Sequence, residues 1–175
     1  MIDSMLVVKS LRMSGRFGVI SSAIISMMAC GSARPVSVAP TTAPPPRPQV
    51  KLAVIPAESD AFPRAASAVS ESLTSAQVGG VDKTSVSKVS LEVVQLSIEC
   101  VDSTDVCYQA IGRSMSANRL LFARIDVGAA RRQLRVTVTL YDVDAKSAKR
   151  TAEKLFVNED QAVAGAAALV AEATR

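Results

Sequence analysis

The chain carries three cysteines, Cys30, Cys100 and Cys107, and no histidine. Those two facts bound most of the chemistry open to it. Without an imidazole there is no Ser-His-Asp triad, no Cys-His pair and no imidazole base. No serine stands in a Gly-x-Ser-x-Gly context, and Gly112-Arg113-Ser114-Met115 lacks the spacing and the lysine of a phosphate-cradling loop. Six residues separate Cys100 from Cys107, whereas redox motifs favour two. A zinc site needs about four ligands, which here would have to be two cysteines and carboxylates. Asp102 and Asp105 read as a turn and a helix cap, and Asp142 and Asp144 as a strand end and a hairpin. Paired catalytic carboxylates would have to face one cleft, and nothing in their spacing implies that. No metal, no cofactor and no enzymatic activity are expected; covalent attachment and cross-linking remain for the cysteines.

The position of Cys30 decides what surrounds the other two. Arg12 and Arg16 precede an apolar run from Phe17 to Ala29, shorter than the roughly 20 residues that span a bilayer core. A charged start, an apolar centre and a small residue before a cut are the dimensions of a secretory signal peptide. Met13 is an alternative start, because Met1 to Arg12 adds nothing such a peptide needs. Met27-Met28-Ala29-Cys30 resembles the bacterial lipobox, cut between Ala29 and Cys30 so that the cysteine is acylated and becomes the first mature residue. Met27 stands where leucine is usual and Met28 where a smaller residue is commoner. Gly31, rather than Asp, follows the cysteine, which by the same resemblance implies outer-membrane sorting. An ordinary signal peptide cut elsewhere, or a packed helix, is the competing reading. Acyl chains contribute about 0.8 kcal/mol per buried CH₂, enough together to hold a soluble domain at a membrane. The expected organisation is a signal peptide at 1–29, a palmitate-bearing Cys30 with its tether at 30–49, and a folded domain at 50–175, on the periplasmic side of the outer membrane.

Pro35, Pro40, Pro44, Pro45, Pro46 and Pro48 punctuate the stretch from Gly31 to Val50. Proline removes donors and fixes φ, so this run makes neither a helix nor a central strand. It reads as an extended spacer reaching up to about 3 Å per residue around Pro44 to Pro46. The formal charge of +4 lies before the domain: from Gln49 onward fifteen basic residues face fifteen acidic ones. A neutral domain with no Trp and with Tyr only at Tyr108 and Tyr141 lacks the stacking residues of a nucleic-acid binder. Arg131, Arg132 and Arg135 form the one small basic cluster, read first as a solvated hairpin and, with Tyr141, as a candidate interaction surface. In an exported chain Cys100 and Cys107 are expected to form a disulfide, and a loop this short contributes roughly 2–2.5 kcal/mol in the chain-entropy picture.

Lys51-Leu52-Ala53-Val54-Ile55-Pro56 opens the domain as a strand covered on both faces. Phe62, Ala66, Val69, Leu73 and Ala76 recur at helical spacing, predicting a helix over 63–77 with Pro63 in its first turn. Residues 78–82 are either a turn or a short second strand. A helix is then predicted from Ser85 or Ser87 to Ile98, with Val86, Val89, Val93, Leu96 and Leu91 inward. Asp105 is expected to cap a helix over 106–115 that buries Val106, Ala110 and Ile111. Arg119 to Val127 reads as a central strand, and Leu134 to Val143 alternates with Leu134, Val136, Val138 and Leu140 on one face. A third antiparallel strand is expected over 149–157, then a helix begun by Asn158, Glu159 or Asp160 that covers the sheet with Ala162, Val163, Ala166, Leu169 and Val170. The class is α/β (α+β): a two-layer or three-layer sandwich on a mixed four- to five-stranded sheet, its last three strands antiparallel, with helices packed on it.

The run from Leu96 to Ala123, with Cys100, Cys107, Gly112 and Ala117, together with the Leu52-Ala53-Val54-Ile55-Pro56 strand and the strand ending Tyr141-Asp142-Val143, resembles myxobacterial and other deltaproteobacterial exported lipoproteins. Their domain is similar to the amino-terminal domain of TolB, and the broad group includes flagellar, curli-secretion and penicillin-binding-protein-activator lipoproteins. The resemblance covers 50–157 and implies a scaffold that works by touching other envelope proteins, with Gly112 and Ala117 marking where a helix gives way to a strand. The implied role is a non-enzymatic, membrane-anchored adaptor with an envelope protein partner and no nucleic acid. A module for a small ligand or peptidoglycan fragment, or a structural subunit of a secretion or motility complex, is the alternative; the oligomeric state is open.

Overall fold

A computed structural model describes residues 47–100 and 102–175. Ala29 and Cys30, the signal peptide and the tether up to residue 46 lie outside the described residues. The elements run β1 (Lys51–Val54), α1 (Pro63–Ser75), β2 (Lys83–Val86), α2 (Leu91–Ser97), α3 (Asp105–Ser114), β3 (Arg119–Val127), β4 (Leu134–Asp142), β5 (Ser147–Phe156) and α4 (Glu159–Thr174). They build one five-stranded sheet in the order β2-β1-β3-β4-β5. β1 is parallel to both β2 and β3, while β3, β4 and β5 form an antiparallel meander.

The sheet is mixed and open, and helices cover both faces, which makes three layers. Leu52, Val54, Leu121, Ala123, Val136, Val138 and Ala152 point to α1 and α4 and share a core with Val69, Leu73, Ala166 and Leu169. Ala53, Ile55, Leu120, Phe122, Tyr141 and Val143 point the other way, onto Leu91 and Val94 of α2 and Cys107 and Ile111 of α3. A strand buried on both faces needs apolar residues in succession, which is what Leu52 to Ile55 supply; each is at most 1% exposed.

α1 buries Ala66, Val69 and Leu73 as its spacing requires. Its own sequence offers no side-chain cap. The cap comes from α4: Glu159 Oε1 accepts from the amides of Arg64 at 2.7 Å and Ala65 at 3.0 Å. The Arg64 guanidinium pairs with Asp160, which raises its pKa further. Asn158 begins α4, its Oδ1 accepting from Gln161 N at 2.9 Å.

The stretch 83–98 departs from expectation. Residues 78–82 hold the expected turn, at Gly79-Gly80, but no strand; the second strand follows at Lys83–Val86. The following helix is short and turned the other way: Leu91, Val94 and Gln95 are buried, while Val86, Val89, Val93 and Leu96 are 43–67% exposed. Either stripe is apolar enough to face a core, so periodicity alone cannot choose between them; the sheet chooses Leu91 and Val94.

α3 buries Ile111 as expected and half-buries Ala110, but not Val106. Thr104, not Asp105, is its cap, with Oγ1 accepting from Cys107 N at 3.3 Å. Val106 is 78% exposed, whereas Cys107 is wholly buried. The cross-link to Cys100 takes Cys107 inward, so its neighbour in sequence points out.

Candidate functional site: the β2 edge and the outer face of α2

The residues that sequence reasoning singled out are distributed over the domain rather than gathered in one place. Cys100 and Cys107 are joined by a disulfide with Cα atoms 5.6 Å apart. It ties the turn after α2 to the first turn of α3, and Gln95 Nε2 donates to the buried Cys107 Sγ at 3.6 Å. Asp142 Oδ1 accepts from the amides of Asp144 and Ala145 in the β4–β5 turn, at 3.1 and 2.9 Å. Asp144 Oδ2 accepts from Asn118 Nδ2 at 3.0 Å. These carboxylates organise turns. Among the described residues no group of three or more Cys, Asp or Glu side chains is arranged to hold a metal ion.

The expected interaction surface has to be corrected. Tyr141 is 1% exposed and belongs to the core. Its hydroxyl donates to the Asp105 carbonyl at 3.0 Å, and its ring lies 5.4 Å from that of Tyr108, which in turn lies 4.8 Å from Phe122. Alternation along β4 does place Tyr141 on the same face as Arg135, Thr137 and Thr139. α3 covers one end of that face, where Tyr141 and Val143 lie, and leaves the other end bare. Burial, with Asp105 and Asp142 adding negative charge nearby, pushes the phenol above its ordinary value. Arg135 Nε pairs with Glu153 Oε1 at 3.4 Å across β4 and β5. Arg131 and Arg132 are exposed on the β3–β4 hairpin, where Arg132 has φ 68°.

Gly112 does not mark the change from helix to strand. It lies inside α3, buried against Val143. Ala117 follows the helix and donates its amide to the Gly112 carbonyl at 2.9 Å, closing the turn.

Several apolar residues that the sequence reading turned inward are exposed near one edge of the sheet and on α2. β2 and β5 are the two edges of the sheet. β5 carries Lys149, Arg150, Glu153 and Lys154, and charge on an edge strand discourages pairing with another chain. β2 is Lys-Thr-Ser-Val, exposed at all four residues, with one charge. Lys83 N and Ser87 N donate inward to Val50 O at 3.3 Å and Val54 O at 2.8 Å. By the two-residue period of a strand, Thr84 and Val86 direct their amides and carbonyls outward. Val89, just before α2, and Val93 and Leu96 on its outer face are exposed at spacings of four and three, while exposed Val86 at the end of β2 pairs in register with Val54 and so faces the α1 and α4 side of the sheet. Apolar side chains beside an open edge form a surface for contact with protein.

An open three-layer α/β domain with one bare, nearly uncharged edge is the class that fold and surface define. No protein-family model matches the chain, and no curated protein matches it. Similar solved structures include the LpoB C-terminal domain from Salmonella enterica, at 11% identity and TM-score 0.40 over 61% of this chain and 82% of that one. A PelC dodecamer from Paraburkholderia phytofirmans is 16% identical with TM-score 0.38, covering 71% and 85%. TolB from Acinetobacter baumannii is 18% identical with TM-score 0.37, covering 73% of this chain and 28% of that one. Likeness at this level leaves the role of the chain to its own residues.

Proposed function

We propose that the chain is a non-enzymatic envelope lipoprotein, held by acylated Cys30 on the periplasmic side of the outer membrane, whose folded domain binds a partner protein. The observation that carries the reading is the bare, nearly uncharged β2 edge, followed in the chain by exposed Val89, Val93 and Leu96. An extended segment of the partner adds a strand beside Thr84 and Val86 through main-chain hydrogen bonds, and its apolar side chains rest on the outer face of α2. The lipobox-like Met27-Met28-Ala29-Cys30 supports the anchor, and the Cys100–Cys107 disulfide fits an oxidising compartment.

In-cell cross-linking tests the reading. A photoreactive residue at Thr84 or Val93 is expected to give one discrete protein adduct, and the same residue at exposed Glu71 on α1 none. Cys30→Ala is expected to release the chain from the membrane fraction and remove that adduct. No adduct at 84 or 93 above the level at 71 would overturn the contact; a wild-type chain without acyl mass would overturn the anchor.

A further inference from the structure

The domain is neutral as a whole, yet its charge is not evenly placed. The chain enters at Val50, whose amide donates to Asp82 Oδ2 at 2.7 Å and whose carbonyl accepts from Asp82 N at 2.9 Å. Around this entry stand Lys51 at the start of β1, Lys83 at the start of β2, Arg119 at the start of β3, Arg113 in the last turn of α3 and Lys146 in the β4–β5 turn. All but Arg119 are exposed, and none makes an ion pair among the described residues. Arg119 Nη1 donates instead to the Gly79 carbonyl at 2.9 Å. Asp82, Asp142 and Asp144 also stand at this end; they accept from amides and keep their charge, so the five cations outnumber these three acids without forming an ion pair with them. Two clefts open here and meet at Ser116: one of about 350 Å³ lined by Arg113, Asn118, Asp144 and Lys146, the other of about 220 Å³ lined by Lys51 and Lys83.

We propose that this cationic end is a docking face for anionic phospholipid headgroups and seats the domain end-on against the lipid surface. Charge complementarity identifies the occupant: several cations at one end, unpaired by neighbouring acids, with clefts between them that admit headgroup phosphates. The entry point places the face at the end of the domain from which the chain leads back to Cys30. The proposal rests on the membrane-anchor reading for its biological setting but not for its test. A Lys or Arg within a Debye length of an anionic surface, about 10 Å at 0.1 M salt, strengthens partition about fivefold.

The test uses the full chain with Cys30→Ala, which removes the acylation site, mixed with vesicles of phosphatidylcholine alone or with about one-third phosphatidylglycerol. Lys83→Gln/Arg113→Gln is expected to lower partition onto the anionic vesicles about 25-fold, two cations at about fivefold each. Arg131→Gln/Arg132→Gln removes the same net charge from the β3–β4 hairpin and is expected to change partition less than twofold. Melting temperatures within a degree or so of one another confirm that both variants are folded. Equal losses in the two pairs, or no preference for anionic over neutral vesicles, would overturn the proposal. Intact mass of the wild-type chain tests acylation separately, so failure of the anchor and failure of the face are read in different experiments.

Discussion

A methyl group added at Gly112 tests how closely α3 lies against the end of β4. A Cβ there would stand 2.3 and 2.8 Å from the two γ carbons of Val143 and 3.1 Å from its Cβ, against about 3.5–4.0 Å for ordinary carbon contacts. Val143 has little room to retreat, since its amide donates to Asn118 O at 2.8 Å and its carbonyl accepts from Gln109 Nε2 at 3.4 Å. α3 is held in turn by the disulfide and the Tyr141 hydroxyl. Overpacking of this kind costs about 1–3 kcal/mol, and an overlap of about 1.2 Å or more on one γ carbon and about 0.7 Å or more on the other belongs near the top of that range. Replacing a helical glycine by alanine returns about 1 kcal/mol. Gly112→Ala should therefore destabilise the domain by about 2 kcal/mol. Val143→Ala, which removes two buried methyls, should also cost about 2 kcal/mol. In the double variant the added methyl occupies the vacated space, so the loss should be about 1 kcal/mol rather than the 4 that additivity requires. Urea unfolding followed by far-ultraviolet circular dichroism measures all four corners of the cycle. An additive double variant, or a Gly112→Ala chain as stable as the parent, would refute the packing argument.

Three further outcomes follow from the same geometry. Glu159→Ala removes the side-chain cap on α1 and should cost about 1–2 kcal/mol in urea unfolding, while Glu71→Ala on the outer face of that helix should change stability by less than about 0.5 kcal/mol. Cys100→Ala/Cys107→Ala should lose about 2.5 kcal/mol through the reopened loop, measured against the oxidised parent. Tyr141→Phe should cost about 1 kcal/mol at neutral pH through the lost hydrogen bond. Because folding raises the Tyr141 pKa, the folded state holds its proton more tightly than the unfolded chain; the parent keeps that stability below pH about 10 and loses it as pH rises through the folded value. The gap between parent and Tyr141→Phe should therefore narrow in alkali, as urea unfolding repeated at rising pH measures.

The sheet was legible because its strands carry their burial in their composition. Leu52 to Ile55 are apolar without interruption, and Leu134 to Tyr141 alternate cleanly. α1 and α4 were legible for the same reason. What escaped was set by partners far away in the chain. Glu159 caps a helix that begins almost a hundred residues earlier, and no local pattern at Phe62-Pro63 reports it. α2 has two apolar stripes, and only its docking on the sheet decides that Leu91 and Val94 go in and Val93 and Leu96 stay out. The short β2 has no alternation, because its four side chains are all exposed. Tyr141 was placed on the correct face but in the wrong surroundings, since alternation cannot say that α3 covers half of that face. The exposure of Val93 and Leu96 was missed for this reason: apolar residues at helical spacing look in sequence like core.

The two surfaces are geometrically compatible, and that has a consequence. β1, β2 and β3 are parallel and all start at the cationic end, so an end-on seat directs their far ends away from the lipid. β2 spans about 13 Å at the usual strand rise, which lifts Val86 and the start of α2 clear of the headgroups and leaves the edge open from the side. Lys83 at the foot of β2 then belongs to the lipid face and Val86 at its tip to the protein face. Lys83→Gln should weaken vesicle partition and leave cross-linking from Val93 unchanged, while Val86→Asp should suppress the Val93 adduct and leave partition unchanged within about twofold. Loss of both properties in either single variant would mean that one surface serves a single partner and that the domain is not seated on its end.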